Sequence, residues 1–276
     1  MPSYRRHIDV ALDLAKTFTL QQVGRHDPTT TLDGTRFAKT YLTGGQVVRV
    51  TIARAAAGCV VEVESEAELD GDPCERWAAE LERPLASFDE HVELARLARQ
   101  VSGLRLARVP WLFDTAASFV LQQRITFKDA ARAWRRIAER WGVRSDLGLA
   151  FPDAKRMTMV TLPELQAMDI DARRARALLA VAREEVFARF LRDGTPRDTL
   201  RKRLASIHGI GPWTTEMVLG YGTGDADAVP TGDLHLPSFV TEALAGEIVG
   251  TDERMLELLE PFRPHRFLAI RLLWAR

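Results

Sequence analysis

The amino-acid sequence predicts an α+β fold, with an N-terminal domain built on an antiparallel sheet followed by an all-helical body. Short apolar segments alternate with turn residues up to about residue 86, and the apolar period becomes helical from Ser87 onward. The chain has 276 residues, 46% of them hydrophobic, which is enough for one large or two modest domains. No apolar run is long enough for a membrane helix and the first residues lack a signal-peptide pattern, so we expect a cytoplasmic protein.

The N-terminal domain is expected to contain a β-hairpin. Residues 47–52 and 59–65 have strand-like patterns, and the Ala-Ala-Ala-Gly segment at 55–58 is suited to the turn between them. The two cysteines, Cys59 and Cys74, lie in a chain with no secretion signal, which favours reduced, structural thiols over a disulfide.

The region beyond residue 86 is expected to be nearly all α-helical. Ser87 to Glu90 has the pattern of a capping box, and the apolar spacing that follows predicts a helix ending at Gly103. Further helices are predicted after Asp114, from Thr126 to Gly142, after Thr161, from Asp171 to near Gly194, from Thr195 to Ser206, and from about Pro237.

Charge is balanced overall but segregated along the chain. The 38 Lys and Arg residues match 38 Asp and Glu residues, yet residues 61–90 carry 11 acids and 2 bases, and residues 121–204 carry 19 bases and 11 acids. Nearly all of these bases are arginine, which binds phosphate and carboxylate equally well. The basic segment therefore indicates either a phosphate-binding face or a surface whose charges satisfy one another.

Residues 204–216, LASIHGIGPWTTE, predict a helix, a tight glycine turn and a second helix. Gly209 and Gly211 allow close backbone approach, and Pro212 suits the first turn of a helix. The free amides at such an N-terminus form a phosphate site, although an ordinary αα-hairpin would show the same pattern. No strand precedes the glycines, so a dinucleotide fingerprint is excluded.

Three further segments stand in a definite order around this hairpin: FVLQQRIT at 119–126, the loop DADAVPTGDLHLP at 225–237, and FRPHRFLAIRLLW at 262–274. Together they resemble the helix-hairpin-helix DNA glycosylase superfamily, and most closely its DNA-3-methyladenine glycosylase II (alkylbase DNA glycosylase) branch. The resemblance extends from about residue 87 to the end. It implies an all-α two-lobed glycosylase body after an N-terminal domain at 1–86. Residues 111–226 would carry the hairpin, and 87–110 with 227–276 the catalytic aspartate.

The resemblance implies that Asp233 is the catalytic carboxylate. Cleavage of an N-glycosidic bond passes through an oxocarbenium-like state, which a nearby carboxylate stabilises. Taken alone, Asp233 is equally suited to a helix N-cap or an Asx-turn. Trp213 stands where strand-cleaving members of the superfamily have a lysine nucleophile, so the resemblance implies a monofunctional enzyme. The implied pocket aromatics are Trp213, Trp274, Tyr221 and Trp111, with core packing left open for the last two.

The resemblance also implies a DNA-contacting surface, formed by Gly209, Gly211, Thr214, Gln123, Arg124, Arg201, Lys202 and Arg203. Arg124 or Ile125 would fill the gap left by a flipped base. The main-chain carbonyls of Ala205, Ile207 and Ile210 would hold a structural monovalent cation. No cofactor is expected to be required, since no side-chain cluster has metal-ligand spacing. His235 could assist with water, bind a phosphate, or do neither.

The function implied by the resemblance is hydrolysis of alkylated bases, of the 3-methyladenine type, from double-stranded DNA as the first step of base excision repair. The enzyme is expected to be a monomer that associates with the nucleoid when bound to DNA and needs no membrane. Three alternatives stay open: a non-catalytic helix-hairpin-helix DNA-binding module, a glycosylase for other damaged bases, and a globular domain with no nucleic-acid role. The zero net charge predicts weak non-specific affinity for DNA and a small salt dependence.

Overall fold

The computed structural model describes residues 1–83, 85–109, 111–184 and 196–276. A five-stranded antiparallel sheet leads into a body of helices, which confirms the predicted α+β class. The predicted helix end near Gly194 and helix start at Thr195 lie outside the described residues. Within the described ranges, no helix is both long and apolar enough to cross a membrane.

The N-terminal sheet has the strand order β1-β5-β4-β3-β2, with every neighbouring pair antiparallel. The predicted hairpin is confirmed, since the Ala55 N–H donates to the Gly58 carbonyl and joins the two expected strands. Gly58 has a φ of +68°, and a Cβ there would lie 2.0 Å from the Ile8 carbonyl oxygen, so only glycine fits. Cys59 and Cys74 are buried free thiols. The strands are β1 Ser3–Ile8, β2 Thr30–Leu32, β3 Arg36–Thr43, β4 Gln46–Arg54 and β5 Cys59–Ser65.

The helices follow the predicted apolar pattern where a polar residue caps them. Thr126 accepts the Asp129 N–H at the start of the helix that ends before Gly142, and Thr161 forms a capping box with Glu164. Short 3-10 turns follow α1 at Thr19–Gln21 and α12 at Glu260–Phe262. The helices are α1 Leu14–Phe18, α2 Pro73–Leu81, α3 Val92–Gln100, α4 Leu112–Leu121, α5 Phe127–Trp141, α6 Ala154–Met157, α7 Leu162–Gln166, α8 Ala172–Ala182, α9 Arg197–Ser206, α10 Pro212–Thr223, α11 Leu236–Ala245, α12 Asp252–Leu259 and α13 Arg266–Trp274.

Four local predictions differ from the structure. The helix predicted from Asp171 to near Gly194 ends already at Ala182. The capping box at Ser87 is wrong, because its hydroxyl bonds to the Asp89 carboxylate and α3 begins only at Val92. Helix α4 begins before Asp114, which lies in its first turn. The body is not wholly helical, since β6 Val143–Ser145 and β7 Gly148–Ala150 form a small antiparallel hairpin. This hairpin packs on the N-terminal sheet, where the Thr40 hydroxyl donates to the Leu147 carbonyl at 3.3 Å, so a tertiary contact favours it over helix.

Two large buried clusters organise the described part of the chain, beside a small third one between the N-terminal sheet and the hairpin of β6 and β7. The first is continuous from the N-terminal sheet through α4, α5 and α8 to the hairpin helices α9 and α10. The second joins α3 to α11, α12 and α13. The loop between α10 and α11 passes from one to the other, because Ala228 belongs to the first cluster and Val229 to the second. This crossing places the following residues, including Asp233, at the junction of the two cores.

Candidate active site

The glycine turn between α9 and α10 forms the first part of the site. Gly209 has a φ of +88°, and a Cβ there would lie 2.9 Å from the Ala177 Cβ of α8, so both conformation and packing require glycine. Gly211 precedes α10, and both Gly211 and Pro212 are exposed. The hairpin is therefore pressed against α8 on one side and leaves Gly211, at the N-terminus of α10, at the surface, where a free backbone amide suits an anion.

The end of α4 is tied directly to this turn. The Gln123 side-chain amide donates to the Gly209 carbonyl at 3.0 Å and to the Thr214 hydroxyl at 2.9 Å. The structure thus brings three predicted DNA-contact residues together, with their polar groups bonded to one another. Arg124 follows at an exposed tip with a φ of +55°, in the left-handed region. The tip that presents Arg124 is held in a fixed position relative to the hairpin.

Asp233 lies beside the hairpin and is half-buried. Its Oδ2 accepts the indole N–H of Trp213 at 2.7 Å, and its Oδ1 accepts the backbone N–H groups of His235 at 2.8 Å and Leu236 at 2.9 Å. The carboxylate's bond to the His235 N–H forms the Asx-turn that the sequence left open as an alternative, just ahead of α11, whose N-cap is His235. Three N–H donors fix its orientation and leave it acceptor capacity for a water molecule. The side chain of His235 is exposed.

A row of aromatic rings runs inward from Trp213. Its indole meets the edge of Phe119 at 6.0 Å between ring centroids, Phe119 meets Tyr221 at 5.6 Å, and Tyr221 meets Phe267 at 5.2 Å. The Arg271 guanidinium lies 4.7 Å from the Tyr221 ring centre, and burial raises the pKa of that tyrosine while Arg271 opposes the rise. Trp213 is half-buried, whereas Phe119, Tyr221 and Phe267 are buried. Phe119 and Phe267 lie in the segments at 119–126 and 262–274, and the sequence of these segments carries no signal of the contacts between their rings.

The other two predicted pocket tryptophans make their ring contacts elsewhere in the described structure. Trp274 is 51% exposed and stacks on Phe239 of α11 at 5.8 Å. Trp111 packs on Tyr41 of β3 at 4.7 Å. These contacts join α13 to α11 and α4 to the N-terminal sheet. The pocket role of Trp274 and Trp111 stays a prediction.

The predicted basic contacts before the hairpin divide into two kinds. Arg201 is bonded to the carboxylates of Glu216, Asp225 and Asp198, each at 2.8 Å at the nearest atoms, and Arg203 is paired with Glu184. Lys202 is exposed. Further arginines of the basic segment pair with nearby acids, namely Arg132 with Asp129, Arg135 with Glu139, Arg136 with Asp169 and Arg174 with Asp171. Much of the basic charge is therefore balanced within the fold.

The predicted cation ligands lie at the end of α9 and in the turn that follows. The Ile207 carbonyl accepts the Ile210 N–H at 3.0 Å, which leaves a second lone pair on that oxygen. Neutral carbonyl oxygens are the kind of ligand that a monovalent cation takes, and a cation held by Ala205, Ile207 and Ile210 stays a prediction. Across the described ranges, no group of three or more His, Cys, Asp or Glu side chains is arranged to hold a metal.

The elements of the site coincide with a known family. The model of the HhH-GPD superfamily of base excision DNA repair proteins matches residues 117–264, from within α4 to the turn before α13. The chain therefore belongs to this superfamily, which confirms the resemblance read from the sequence.

Three of the proteins similar to this chain are named 3-methyladenine DNA glycosylases. A DNA-3-methyladenine glycosylase of Bacillus subtilis (strain 168) is 24% identical over 227 residues, covering 74% of this chain and 75% of that protein. The solved 3-methyladenine DNA-glycosylase from Archaeoglobus fulgidus is 19% identical with a TM-score of 0.78, covering 98% of this chain and 97% of that chain. The Schizosaccharomyces pombe 3-methyladenine DNA glycosylase (Mag1), in complex with abasic DNA, is 23% identical with a TM-score of 0.50, covering 65% and 88%. The fold of the whole chain is thus similar to that of the Archaeoglobus protein.

Proposed function

We propose that this chain is a monofunctional DNA glycosylase, a hydrolase that removes alkylated bases of the 3-methyladenine type from duplex DNA as the first step of base excision repair. The observation that carries the proposal is the 2.7 Å bond between the Trp213 indole and the Asp233 carboxylate at the first turn of α10. The names of the Bacillus subtilis and Archaeoglobus fulgidus relatives support this substrate class. The abasic DNA bound by the Schizosaccharomyces pombe relative supports DNA as the partner.

Asp233 acts on the sugar of the flipped nucleotide. As the bond between C1′ and the base nitrogen breaks, its electron pair leaves with the base and positive charge develops on the sugar. The carboxylate stabilises that charge, and a water molecule held by it adds to C1′ and loses a proton. Because Trp213 and the two α11 amides already hold the carboxylate in place, little reorganisation is needed during the reaction.

Trp213 serves the same reaction from the base side. Its indole offers a π-face on which a flipped base stacks, and a cationic alkylated base gains about 0.5–2 kcal/mol from such a face. Indole nitrogen cannot form a Schiff base with the sugar, so the product is an abasic site and the backbone is not cut. Tyr221 lies two rings further inward and supports Trp213 through Phe119.

The hairpin and the α4 tip hold the DNA. The amides of Gly211 and Thr214 at the start of α10, together with a monovalent cation on the neighbouring carbonyls, would bind one phosphate without reading sequence. Lys202 adds a charge beside them, and Arg124 enters the duplex where the base has left. The domain at 1–86, the hairpin lobe at 111–226 and the lobe formed by 87–110 and 227–276 would place the DNA cleft between the two lobes.

Base release from methylated duplex DNA tests the proposal. Asp233→Asn keeps an oxygen for the α11 amides but removes the charge, and we expect release to fall by about 100-fold or more with DNA binding retained. Asp153→Asn is the matched control, because Asp153 also caps a helix, by accepting the Arg156 N–H at 2.8 Å, without contacting the site. A folded Asp233→Asn protein that releases bases at the wild-type rate would exclude this role for Asp233. Wild-type protein that binds DNA but releases no base from a panel of lesions would instead indicate a binding module.

A further inference from the structure

The first residues of the loop that carries Asp233 are held by two arginines, one from each side. The loop leaves α10 at Gly224, crosses between the two buried cores at Ala228 and Val229, and reaches Asp233 just before α11. Since the loop spans two lobes, the position of the Asp233 carboxylate depends on the contacts that each lobe makes with the loop.

We call each set of arginine hydrogen bonds to the loop a clamp. The first clamp belongs to the hairpin lobe. The Arg201 guanidinium donates to Glu216 of α10 at 2.8 and 3.3 Å, to Asp225 at the start of the loop at 2.8 Å, and to Asp198 of its own helix at 2.8 Å. The Asp225 side chain is only 9% exposed. One planar side chain therefore joins α9, α10 and the loop, a geometry that lysine cannot reproduce.

The second clamp belongs to the other lobe. Arg266, in the first turn of α13, grips Asp227 with two bonds, Nε to Oδ1 at 2.8 Å and Nη2 to Oδ2 at 2.7 Å, and its Nη2 also donates to the Asp227 carbonyl at 3.3 Å. The Arg266 side chain is 11% exposed, and the hydrogen bond from Arg266 lowers the pKa of the Asp227 carboxyl against the effect of burial. The Phe267 N–H adds a bond to the Ala226 carbonyl at 2.7 Å.

We propose that Arg201 and Arg266 are positioning residues that together set the location of Asp233 across the two lobes. The inference rests on the proposed function of Asp233. Only a short segment, with Ala228 and Val229 buried, separates Asp227 from Asp233. The Gly232 N–H donates to Asp252 Oδ2 at 2.8 Å and anchors the far end of this segment, so a displacement at Asp225 or Asp227 has to be taken up beside Asp233. A displacement of about 1 Å can cost on the order of 100-fold in rate. Arg201 thus acts through Asp225 and Glu216, and not on a DNA phosphate.

The test separates the rate of base release from DNA binding. Arg201→Gln and Arg266→Gln are measured in the full chain under single turnover, alongside DNA affinity at several salt concentrations. Arg254→Gln is the matched control, because Arg254 makes a similar arginine clamp, to Glu247 at 2.6 Å and Glu257 at 2.8 Å, without touching the loop. We expect the two clamp variants to lose about 10-fold or more in rate, with DNA affinity and its salt slope unchanged. The Arg254 variant should match wild type.

Lys202→Ala calibrates the salt dependence, since loss of one phosphate contact lowers the slope by about 1. An equal fall in slope for Arg201→Gln would show a phosphate contact and overturn the inference, as would wild-type rates in both clamp variants. If either variant fails to fold, Asp225→Asn and Asp227→Asn weaken the same clamps with a smaller change. We expect each to lower the rate of base release by about threefold. Wild-type rates in both variants would also overturn the inference. Asp233→Asn distinguishes the two claims. A wild-type rate there contradicts the proposed function, whereas loss of rate there with intact rates in the clamp variants contradicts only the inference.

Discussion

Substitution of Trp213 by phenylalanine isolates the hydrogen bond that orients Asp233. The change removes the indole N–H that donates to Asp233 Oδ2 at 2.7 Å and keeps an aromatic ring against Phe119. A hydrogen bond to a charged group contributes about 1.5–3 kcal/mol, which corresponds to about 10- to 150-fold in rate. The two α11 amides continue to hold Oδ1, so the carboxylate stays near the site with one oxygen free to turn. We therefore expect base release to fall by about 10- to 100-fold with little change in the midpoint of thermal unfolding.

The assay is single-turnover release of methylated bases, with unfolding followed by circular dichroism. Trp134→Phe provides a control of the same chemistry, because the Trp134 indole donates to Asp27 Oδ1 at 3.0 Å in the first core, and its ring stacks on Phe151. That variant should lose stability and keep the catalytic rate of its folded fraction. A folded Trp213→Phe protein within twofold of the wild-type rate would refute the reasoning, since Asp233 would then need no orienting donor.

Three other perturbations have defined outcomes. Gly209→Ala should lower the free energy of unfolding by about 2–3 kcal/mol in urea titrations, because φ is +88° and the new Cβ would lie 2.9 Å from the Ala177 Cβ; a loss under 0.5 kcal/mol would contradict this. Burial raises the pKa of Asp114 to about 7, above about 3.9 in the unfolded chain, so the folded state binds the extra proton and stability falls as pH rises from about 4 to 7. The slope should be at most about 1.4 kcal/mol per pH unit and smaller in Asp114→Asn, and equal slopes would exclude Asp114 as the cause. Gln123→Leu removes the two hydrogen bonds between the α4 tip and the hairpin, so affinity for abasic DNA should fall by about 10-fold in fluorescence titrations. Unchanged affinity would show that DNA binding does not depend on these two hydrogen bonds.

Local patterns predicted most of the elements, and failed where another contact, near or distant in the chain, competed with them. The hairpin of β4 and β5 and the helix after Thr126 follow directly from alternation, helical period and a capping side chain. Ser87 has the right neighbours for a cap but bonds to Asp89, and the segment after Gly142 pairs as β6 and β7 against the N-terminal sheet. Asp89 lies inside any local window, but two local pairings compete for the Ser87 hydroxyl, whereas Thr40, which bonds to the turn between β6 and β7, is far away in the sequence. Propensity alone could therefore decide neither.

The site divides in the same way. The family resemblance predicts Asp233 and Trp213 as site residues, and the structure places the two in contact. The partners of Arg201 were not predicted, since a basic residue before a phosphate-binding turn suits DNA equally well until Glu216 and Asp225 are seen to surround it.

The sequence by itself determined the α+β class, the glycine turn and the order of the motifs, because these depend on backbone conformation and on spacing along the chain. The catalytic role of Asp233 is a prediction from the family resemblance. Only the tertiary structure decided which arginines form ion pairs within the fold and which aromatic rings contact one another inward from Trp213. It also decided how the loop before Asp233 is held between the two cores. Ion pairs and ring contacts join residues far apart in the chain, and their energies depend on distances and burial that exist only once both lobes have packed.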